Sequence, residues 1–178
     1  MLRLFVGLEL PSKLQFGLEQ ICCGLKEARW VDPHNMHITL SFIGDINERE
    51  GEDLHKALSS VTFEAFELSL AGIDCFAHKH QPSSIWAGVA GDVAMLHNLQ
   101  QKIVTALMRA GLEPEKRKYK PHVTLARLKK APSEAALSFM QAHNHLKTES
   151  FPVSHFTLFR SHLSQNGADY QVLERYPA

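Results

Sequence analysis

The alternation of apolar and polar residues predicts a β-strand at the start of the chain, over Leu2 to Leu10. Pro11 and Ser12 then open a pattern of apolar residues at helical spacing that continues to about Lys26. The same two periodicities predict the remaining elements, which are strands over 37–43, 66–70, 84–90, 153–160 and 168–173, a strand from 122, and helices over 48–60, 92–110 and 133–146.

Glycine and proline indicate where some of these elements end. The stretch Gln81-Pro82-Ser83 is the predicted turn before the strand at 84, and Gly111 is the predicted C-terminal cap of the helix over 92–110.

Because strands and helices alternate in two similar halves with few hairpin-like links, their order predicts α+β or α/β lobes rather than a β-sandwich. No linker rich in Gly, Ser or Pro separates the halves, so residues 1–178 are predicted to form one domain.

Two of the predicted strands carry the same four-residue signature. His37-Ile-Thr-Leu40 recurs as His122-Val-Thr-Leu125. Side chains alternate faces along a strand, so each histidine points the same way as the threonine two residues later, while the residues between and after them face the apolar side. One copy of the pattern is weak evidence of function, but two copies with matching apolar partners indicate a paired site.

The chemistry of such a pair is specific. Brought face to face, the two signatures supply two imidazoles that transfer protons and two hydroxyls that donate hydrogen bonds. This set can bind a phosphate and cleave one of its esters without a metal. Because hydrolysis would need one imidazole neutral and the other protonated, the rate is predicted to follow a bell-shaped pH profile with its maximum between about pH 6 and 8.

Composition narrows the function classes further. Basic and acidic residues number 19 each, so the formal net charge is zero, unlike that of a protein that coats long nucleic acid. Three cysteines, Cys22, Cys23 and Cys75, form neither a CxxC pair nor an even disulfide set, which favours a reducing cytoplasm. Glu9 and Pro11 interrupt the apolar N-terminus, and no apolar run is long enough to span a bilayer. We therefore expect a cytoplasmic monomer with no membrane partner.

The chain resembles a family in several stretches besides the two signatures. It is similar to the two-histidine phosphoesterases, specifically the bacterial RNA 2′,3′-cyclic phosphodiesterases that were historically called 2′-5′ RNA ligases. Tyr119 stands where the family commonly has Phe. The stretches that carry the resemblance are Arg3 to Pro11, Trp30 to Pro33, Asn35 to Leu40, Phe42 to Asp45, Ile85 to Gly88, Tyr119 to Arg127, Phe156 to Ser161 and Tyr170 to Leu173.

The resemblance implies a fold, a reaction and roles for particular residues. The implied fold is α+β, with two pseudo-symmetric lobes, each an antiparallel sheet flanked by helices, and an active site in the cleft between them. The implied reaction is metal-independent hydrolysis of RNA 2′,3′-cyclic phosphate ends to 2′-phosphate, with no cofactor and with reversible 2′-5′ ligation as a possible side activity. His122 would be the proton acceptor and His37 the proton donor, and Thr39 and Thr124 would bind the phosphate. The implied partners are RNA ends or small cyclic nucleotides.

The neighbourhood of the second signature supplies further candidates. Arg127 lies five residues after His122, an odd offset that places it on the opposite face of an ideal strand, so it reaches the site only through a bulge or a strand end. The resemblance makes it a phosphate or nucleotide contact, the alternative being a surface salt bridge. Tyr119 would stack on the terminal base or pack a turn. A basic run precedes the signature and would guide RNA or form a solvated loop; it comprises Lys116, Arg117, Lys118 and Lys120.

Cations near His122 are predicted to lower its pKa and to favour its neutral form, which suits a base.

The other histidines give weaker evidence of a functional role. His34 falls on a predicted loop, and the pairs His78/His80 and His143/His145 lack nearby carboxylates or cysteines at the spacing of metal ligands. Trp30 and Trp86 are interpreted as core residues.

Three alternatives to hydrolysis of RNA 2′,3′-cyclic ends stay open on the sequence. The same chemistry acts on other cyclic nucleotides, such as ADP-ribose 1″,2″-cyclic phosphate, or on 2′-5′-linked oligonucleotides. A noncatalytic RNA-end binder would tolerate the loss of one histidine, and both are present. A metallohydrolase would need carboxylate ligands and would lose activity to a chelator.

Overall fold

The computed structural model describes residues 2–115, 117–129, 133–164 and 167–178. In these ranges the helices are α1 (Ser12–Glu19), α2 (Glu48–Ser59), α3 (Val93–Arg109) and α4 (Ser133–His143), with a short 3-10 helix at Pro33–Asn35. The strands are β1 (Leu2–Glu9), β2 (Ala28–Trp30), β3 (His37–Ile46), β4 (Phe66–His78), β5 (Gln81–Gly91), β6 (His122–Leu128), β7 (Phe151–Val153), β8 (His155–Ser164) and β9 (Gly167–Pro177).

The strands form one antiparallel sheet built from two halves. Its order is β7-β4-β5-β6-β3-β1-β8-β9, and β2 pairs with the far end of β6. One half contains β3, β1, β8 and β9, and the other contains β2, β6, β5, β4 and β7. A single residue pair, Ile38 with Val123, joins the halves through β3 and β6. The α+β class and the two antiparallel lobes predicted from the resemblance are therefore confirmed.

Helices and sheet enclose the core on one face of the strands. In α3, the buried side chains recur at helical spacing (Leu96, Leu99, Ile103, Leu107) and pack into a cluster that includes Ile38 and Val123. The N-terminus of α2 carries a capping box: the Asn47 side chain accepts from the Glu50 amide, and the Glu50 carboxylate accepts from the Asn47 amide. The polar side chains of the two His-x-Thr signatures lie on the opposite face of the sheet.

Two of the predicted boundaries are wrong. The first helix ends at Glu19 instead of near Lys26. Tight turns over Ile21 to Cys23 replace the helical hydrogen bonds there, and Gly24 follows with a left-handed φ of 81°. The turn predicted at Gln81 to Ser83 lies instead at Lys79 and His80, which both have positive φ. Proline has no backbone N–H to donate. It is tolerated at position 82 because, in the described residues, β6 pairs with β5 only from Ser84 onward, so no β6 residue is paired with position 82.

Other boundaries differ in length. The predicted strands over 37–43, 66–70 and 168–173 are longer in the structure, and the one over 153–160 is divided between β7 and β8. The helix predicted to reach 146 ends at His143. Two hairpins, β4/β5 and β8/β9, join neighbouring strands where few such links were predicted.

Candidate active site

The two signatures meet at the junction between the halves of the sheet. Ile38 and Val123, the second residues of the two signatures, are antiparallel partners and are both fully buried. An antiparallel pair has a local twofold axis through its centre, and this axis relates each histidine to the other and each threonine to the other. Because side chains alternate, all four polar residues lie on the face opposite the core. The structure therefore brings together the four residues that the sequence singled out.

Backbone carbonyls hold both imidazoles in the same tautomer. The Nδ1–H of His37 donates to the carbonyl oxygen of Asn35 at 2.6 Å, and the Nδ1–H of His122 donates to that of Lys120 at 2.7 Å. Each bond runs two residues back along the chain, so the local geometry of the two signatures is the same. With Nδ1 engaged, Nε2 is the nitrogen left to exchange a proton with a substrate. In the absence of one, the Thr39 hydroxyl donates to Nε2 of His37 at 2.9 Å.

Both imidazoles are less basic than a free histidine. Burial lowers the pKa of His37 from 6.5 to about 4; the hydrogen bond to Asn35 opposes this shift, and the nearby His122 adds to it. Burial also lowers the pKa of His122, and the positive charge of Lys120 contributes in the same direction. The cation effect on His122 was predicted from the sequence, and in the structure burial has the larger effect. Near neutral pH the unliganded site therefore holds two neutral imidazoles.

Aromatic rings surround each imidazole. The His37 ring lies 4.8 Å from Phe5, 5.8 Å from Phe159 and 5.1 Å from Tyr170, measured between ring centroids. The His122 ring lies 4.9 Å from Phe76 and 5.6 Å from Trp86. These rings exclude water from the imidazoles, which accounts for the lowered pKa values.

Beside His122, the ammonium group of Lys120 lies 4.6 Å from the centroid of the Trp86 ring. Trp86 is buried, as predicted, and Trp30 packs its ring on Phe139 of α4.

Each signature ends in a β-bulge. In β3, Val6 pairs with Ser41 and Gly7 with Thr39, so Leu40 is an extra residue. In β6, Ile85 pairs with Ala126 and Trp86 with Thr124, so Leu125 is extra. The carbonyl oxygens of both leucines accept hydrogen bonds from elsewhere. The buried Gln100 side chain donates to the Leu40 oxygen at 3.4 Å, and the Val31 amide donates to the Leu125 oxygen at 2.8 Å. The two bulges thus follow the same twofold symmetry as the motifs.

The bulge places Arg127 on the face of the site. One extra residue reverses the alternation, so a side chain five positions after His122 returns to the histidine's face. Arg127 is exposed, and its charge reaches Tyr170: burial raises the pKa of the Tyr170 phenol, and the charge of Arg127 partly opposes this rise. Phe42 occupies the matching position, five residues after His37, and exposes 53% of its surface although it is a large apolar side chain. The sequence analysis did not single out Phe42; its equal offset from the first histidine was the available signal.

The basic run lies at the edge of the His122 side of the site. Lys118 and Lys120 are exposed, and Arg117 pairs with Glu115, while Lys116 lies outside the described residues. Tyr119 points away from these lysines: its ring centroid lies 5.4 Å from that of His97 in α3, and its hydroxyl is buried. In the structure Tyr119 therefore has the contacts of a packing residue, the second of its two predicted roles.

The remaining histidines lie apart from the two signatures. His78 and His80 are exposed at the tip of the β4/β5 hairpin, and His143 packs on Phe139 with 4.5 Å between ring centroids. In the described ranges no three His, Cys, Asp or Glu side chains are close enough together to hold a metal ion. The described helices include none that is both long and apolar enough to cross a membrane.

Comparison with known proteins places this arrangement in a family. Residues 15–165 match the model of the 2′-5′ RNA ligase superfamily. A protein of Aeropyrum pernix named RNA 2′,3′-cyclic phosphodiesterase is 34% identical over 144 residues, which cover 80% of this chain and 82% of the relative. The protein of the same name from Bacillus subtilis is 30% identical over 171 residues, covering 91% and 89%.

The fold is also that of solved structures. LigT of Escherichia coli, crystallised with 3′-AMP, superimposes with a TM-score of 0.81 at 21% identity, covering 99% of this chain and 97% of that one. The relatives' shared name confirms the enzyme class that the resemblance implied. The family model that matches residues 15–165 and the relative that is 34% identical show that this chain belongs to the 2′-5′ RNA ligase superfamily.

Proposed function

We propose that this protein opens the 2′,3′-cyclic phosphate at the end of an RNA chain and leaves a 2′-phosphate. The observation that carries the proposal is the twofold-related pair of His-x-Thr signatures on one open face of the sheet. The name shared by the curated relatives supports the choice of substrate.

In the proposed reaction, water attacks phosphorus in line with the bond to the 3′ oxygen. His122 Nε2 takes a proton from the water as the new P–O bond forms. His37 Nε2, protonated, gives its proton to the 3′ oxygen as that P–O bond breaks. The products are a 3′-hydroxyl and a 2′-phosphate, and each histidine ends in the protonation state in which the other began. The twofold arrangement supports this division of labour, because the two imidazoles flank one space from opposite sides.

The threonines stabilise the charge that develops on phosphorus. Thr39 and Thr124 donate to the non-bridging oxygens, and one such donor contributes about 3 kcal/mol in comparable oxyanion sites. For Thr39 this requires that its hydroxyl turn from Nε2 of His37, where it donates in the free protein. On the same face, Arg127 contacts a phosphate or nucleotide of the RNA chain, and the exposed Phe42 offers a ring on which a base stacks.

The reverse reaction uses the same groups. A 5′-hydroxyl that takes the place of water would join a cyclic end to a second RNA as a 2′-5′ linkage. Water at about 55 M favours hydrolysis unless the second RNA end is held in place. Ligation is therefore proposed as a side activity.

The test is an assay of the purified protein on RNA ending in 2′,3′-cyclic phosphate, with the product isomer identified by chromatography. We expect 2′-phosphate, and its absence in a variant that combines His37→Ala with His122→Ala. A 3′-phosphate product would refute the assigned leaving group. Binding of the RNA without turnover in the wild-type protein would show a noncatalytic binder, and turnover confined to another cyclic nucleotide or to 2′-5′ linkages would refute the proposed substrate.

A further inference from the structure

Two arginines lie side by side across neighbouring strands next to the site. Arg29 of β2 is the direct antiparallel partner of Arg127 of β6, so their Cα atoms are about 5 Å apart and their side chains share a face. Arg127 is in turn paired with Ser84, and Ser84 with Phe76, whose ring contacts His122. This row of four paired residues connects Arg29 to the active face of the sheet.

The neighbour of Arg29 confirms which way it points. Trp30, the next residue, packs on Phe139 of α4 on the helix side of the sheet. Because successive side chains of a strand alternate, Arg29 projects from the opposite face, the one that carries the histidines. Arg29 is exposed, as is Arg127.

This arrangement is unfavourable for the protein alone. Like charges directly opposite one another destabilise a pair of strands. In the part of the chain that the structure describes, neither arginine has an ion-pair partner, whereas Arg3, Arg117 and Arg175 each pair with a carboxylate. A ligand anion between the two guanidinium groups would remove the repulsion and accept hydrogen bonds from both.

We propose that Arg29 and Arg127 form a second phosphate site, which binds the internucleotide phosphate that precedes the reacting end of an RNA chain. The inference rests on the proposed function and extends it, since it makes an oligonucleotide a better substrate than a nucleoside 2′,3′-cyclic monophosphate, which has no second phosphate. Tyr170 connects the arginines to the first site, because its ring contacts that of His37 and its hydroxyl is close enough to Arg127 to respond to the charge of that residue.

The experiment compares two substrates, a dinucleotide ending in 2′,3′-cyclic phosphate and the corresponding cyclic mononucleotide. The ratio of their kcat/KM values is measured for the wild-type protein, for Arg29→Gln and for the matched control Arg49→Gln, which removes the same charge from an exposed position on α2. We expect the preference for the dinucleotide to fall about 10- to 100-fold in Arg29→Gln, the loss typical of a hydrogen-bonded charge pair, and to stay unchanged in Arg49→Gln.

A chemical counterpart isolates the contact. Replacing the internucleotide phosphate by a neutral methylphosphonate should cost the wild-type protein more than the Arg29→Gln substitution does, because both arginines lose their anion. The same replacement should cost Arg29→Gln less than it costs the wild-type protein, because only Arg127 contacts the phosphate there, and the difference is the coupling that a double-mutant cycle measures. An unchanged preference in Arg29→Gln, or additive losses in the cycle, would overturn the second site. Failure of the wild-type protein to turn over either substrate would instead refute the proposed function.

Stability provides a readout independent of activity. Because the substitution removes a like-charge neighbour, the thermal midpoint of Arg29→Gln should equal or exceed that of the wild-type protein. A clear fall would show that Arg29 serves the fold, and would overturn its assignment as a ligand-binding residue.

Discussion

Binding of the cyclic phosphate is expected to move the pH optimum of the enzyme upward. The proposed mechanism needs His37 protonated and His122 neutral. In the free protein, burial holds the pKa of His37 at about 4 and the pKa of His122 below its ordinary value. Since kcat/KM reports the free enzyme and kcat reports the complex, the two quantities should have different pH profiles.

The size of the shift follows from the charge of the substrate. A phosphodiester anion about 4 Å from an imidazolium, at an effective dielectric constant of about 20, stabilises it by about 4 kcal/mol. One pKa unit corresponds to 1.36 kcal/mol, so the pKa of His37 should rise by about 3 units, to about 7, in the complex. The pKa of His122, on the other side of the same phosphate, should rise as well, so the whole pH profile moves upward. We therefore expect kcat/KM to peak below about pH 6 and kcat to peak between about pH 6 and 8. Both pH profiles should be bell-shaped, and the apparent pKa values of their two limbs belong to the two coupled histidines together and not to either one alone.

The assay is steady-state turnover of an RNA ending in 2′,3′-cyclic phosphate across pH 4 to 9, with kcat and KM determined at each pH. NMR titration of the free protein, with the His37 signal assigned from His37→Ala, measures the pKa directly. A titration midpoint near 6.5, or a kcat/KM profile with its maximum at or above pH 7, would refute the argument from burial. A rate that rises throughout with pH would refute the two-histidine mechanism itself.

Four further outcomes are expected. His37→Ala and His122→Ala should each lower kcat at least about 100-fold with a smaller change in substrate affinity, because each removes a proton-transfer group; near-normal turnover in either would refute the pairing. Turnover should survive EDTA, and loss on chelation that a divalent ion restores would refute a metal-free mechanism. Phe42→Ala should raise KM for RNA about 5- to 100-fold through lost stacking, with Phe42→Tyr as the control that keeps the ring. Glu9→Gln should lower the free energy of unfolding at pH 7 by about 1–2 kcal/mol, and urea denaturation measures this change. The loss is modest because Glu9 is partly exposed, so solvent screens its charge.

The last of these outcomes depends on pH in a definite direction. Glu9 accepts hydrogen bonds from Arg175 at 2.7 and 2.8 Å and from Thr157 at 2.7 Å, and these partners lower its pKa to about 2 although burial opposes them. Its carboxylate therefore stabilises the fold fully above its ordinary pKa of 4.5, and this contribution is lost as the pH falls toward 2. The difference between Glu9→Gln and the wild-type protein should shrink over that range, and a constant difference would contradict the assignment.

The sequence predicted the site better than the path of the chain around it. Each His-x-Thr signature carries its own local information, because strand alternation fixes which side chains share a face. The pairing of Ile38 with Val123 depends instead on contacts between distant segments, which no local pattern contains. For that reason the sequence predicted two facing signatures but not the single residue pair that joins them.

Position 127 shows where the local rules stop. Alternation placed Arg127 on the wrong face of an ideal strand, and only the extra residue at Leu125 returns it to the site. The bulge has no signature in composition, since leucine suits a regular strand equally well. The turn at Lys79 and His80 was missed for a related reason: both residues have positive φ, a conformation in which Asn and Gly are the usual choices.

The junction at Ile38 and Val123 has a mechanical consequence. Every other neighbouring pair of strands in the described sheet shares at least three residue pairs, whereas β3 and β6 share one. A small rotation of one half against the other about this pair changes the separation of the two imidazoles and leaves the remaining ladders intact. Each half carries one histidine and one threonine, so such a rotation would move one His–Thr pair relative to the other. In the proposed reaction it would let the four groups follow phosphorus as the five-membered ring opens and the leaving oxygen moves away.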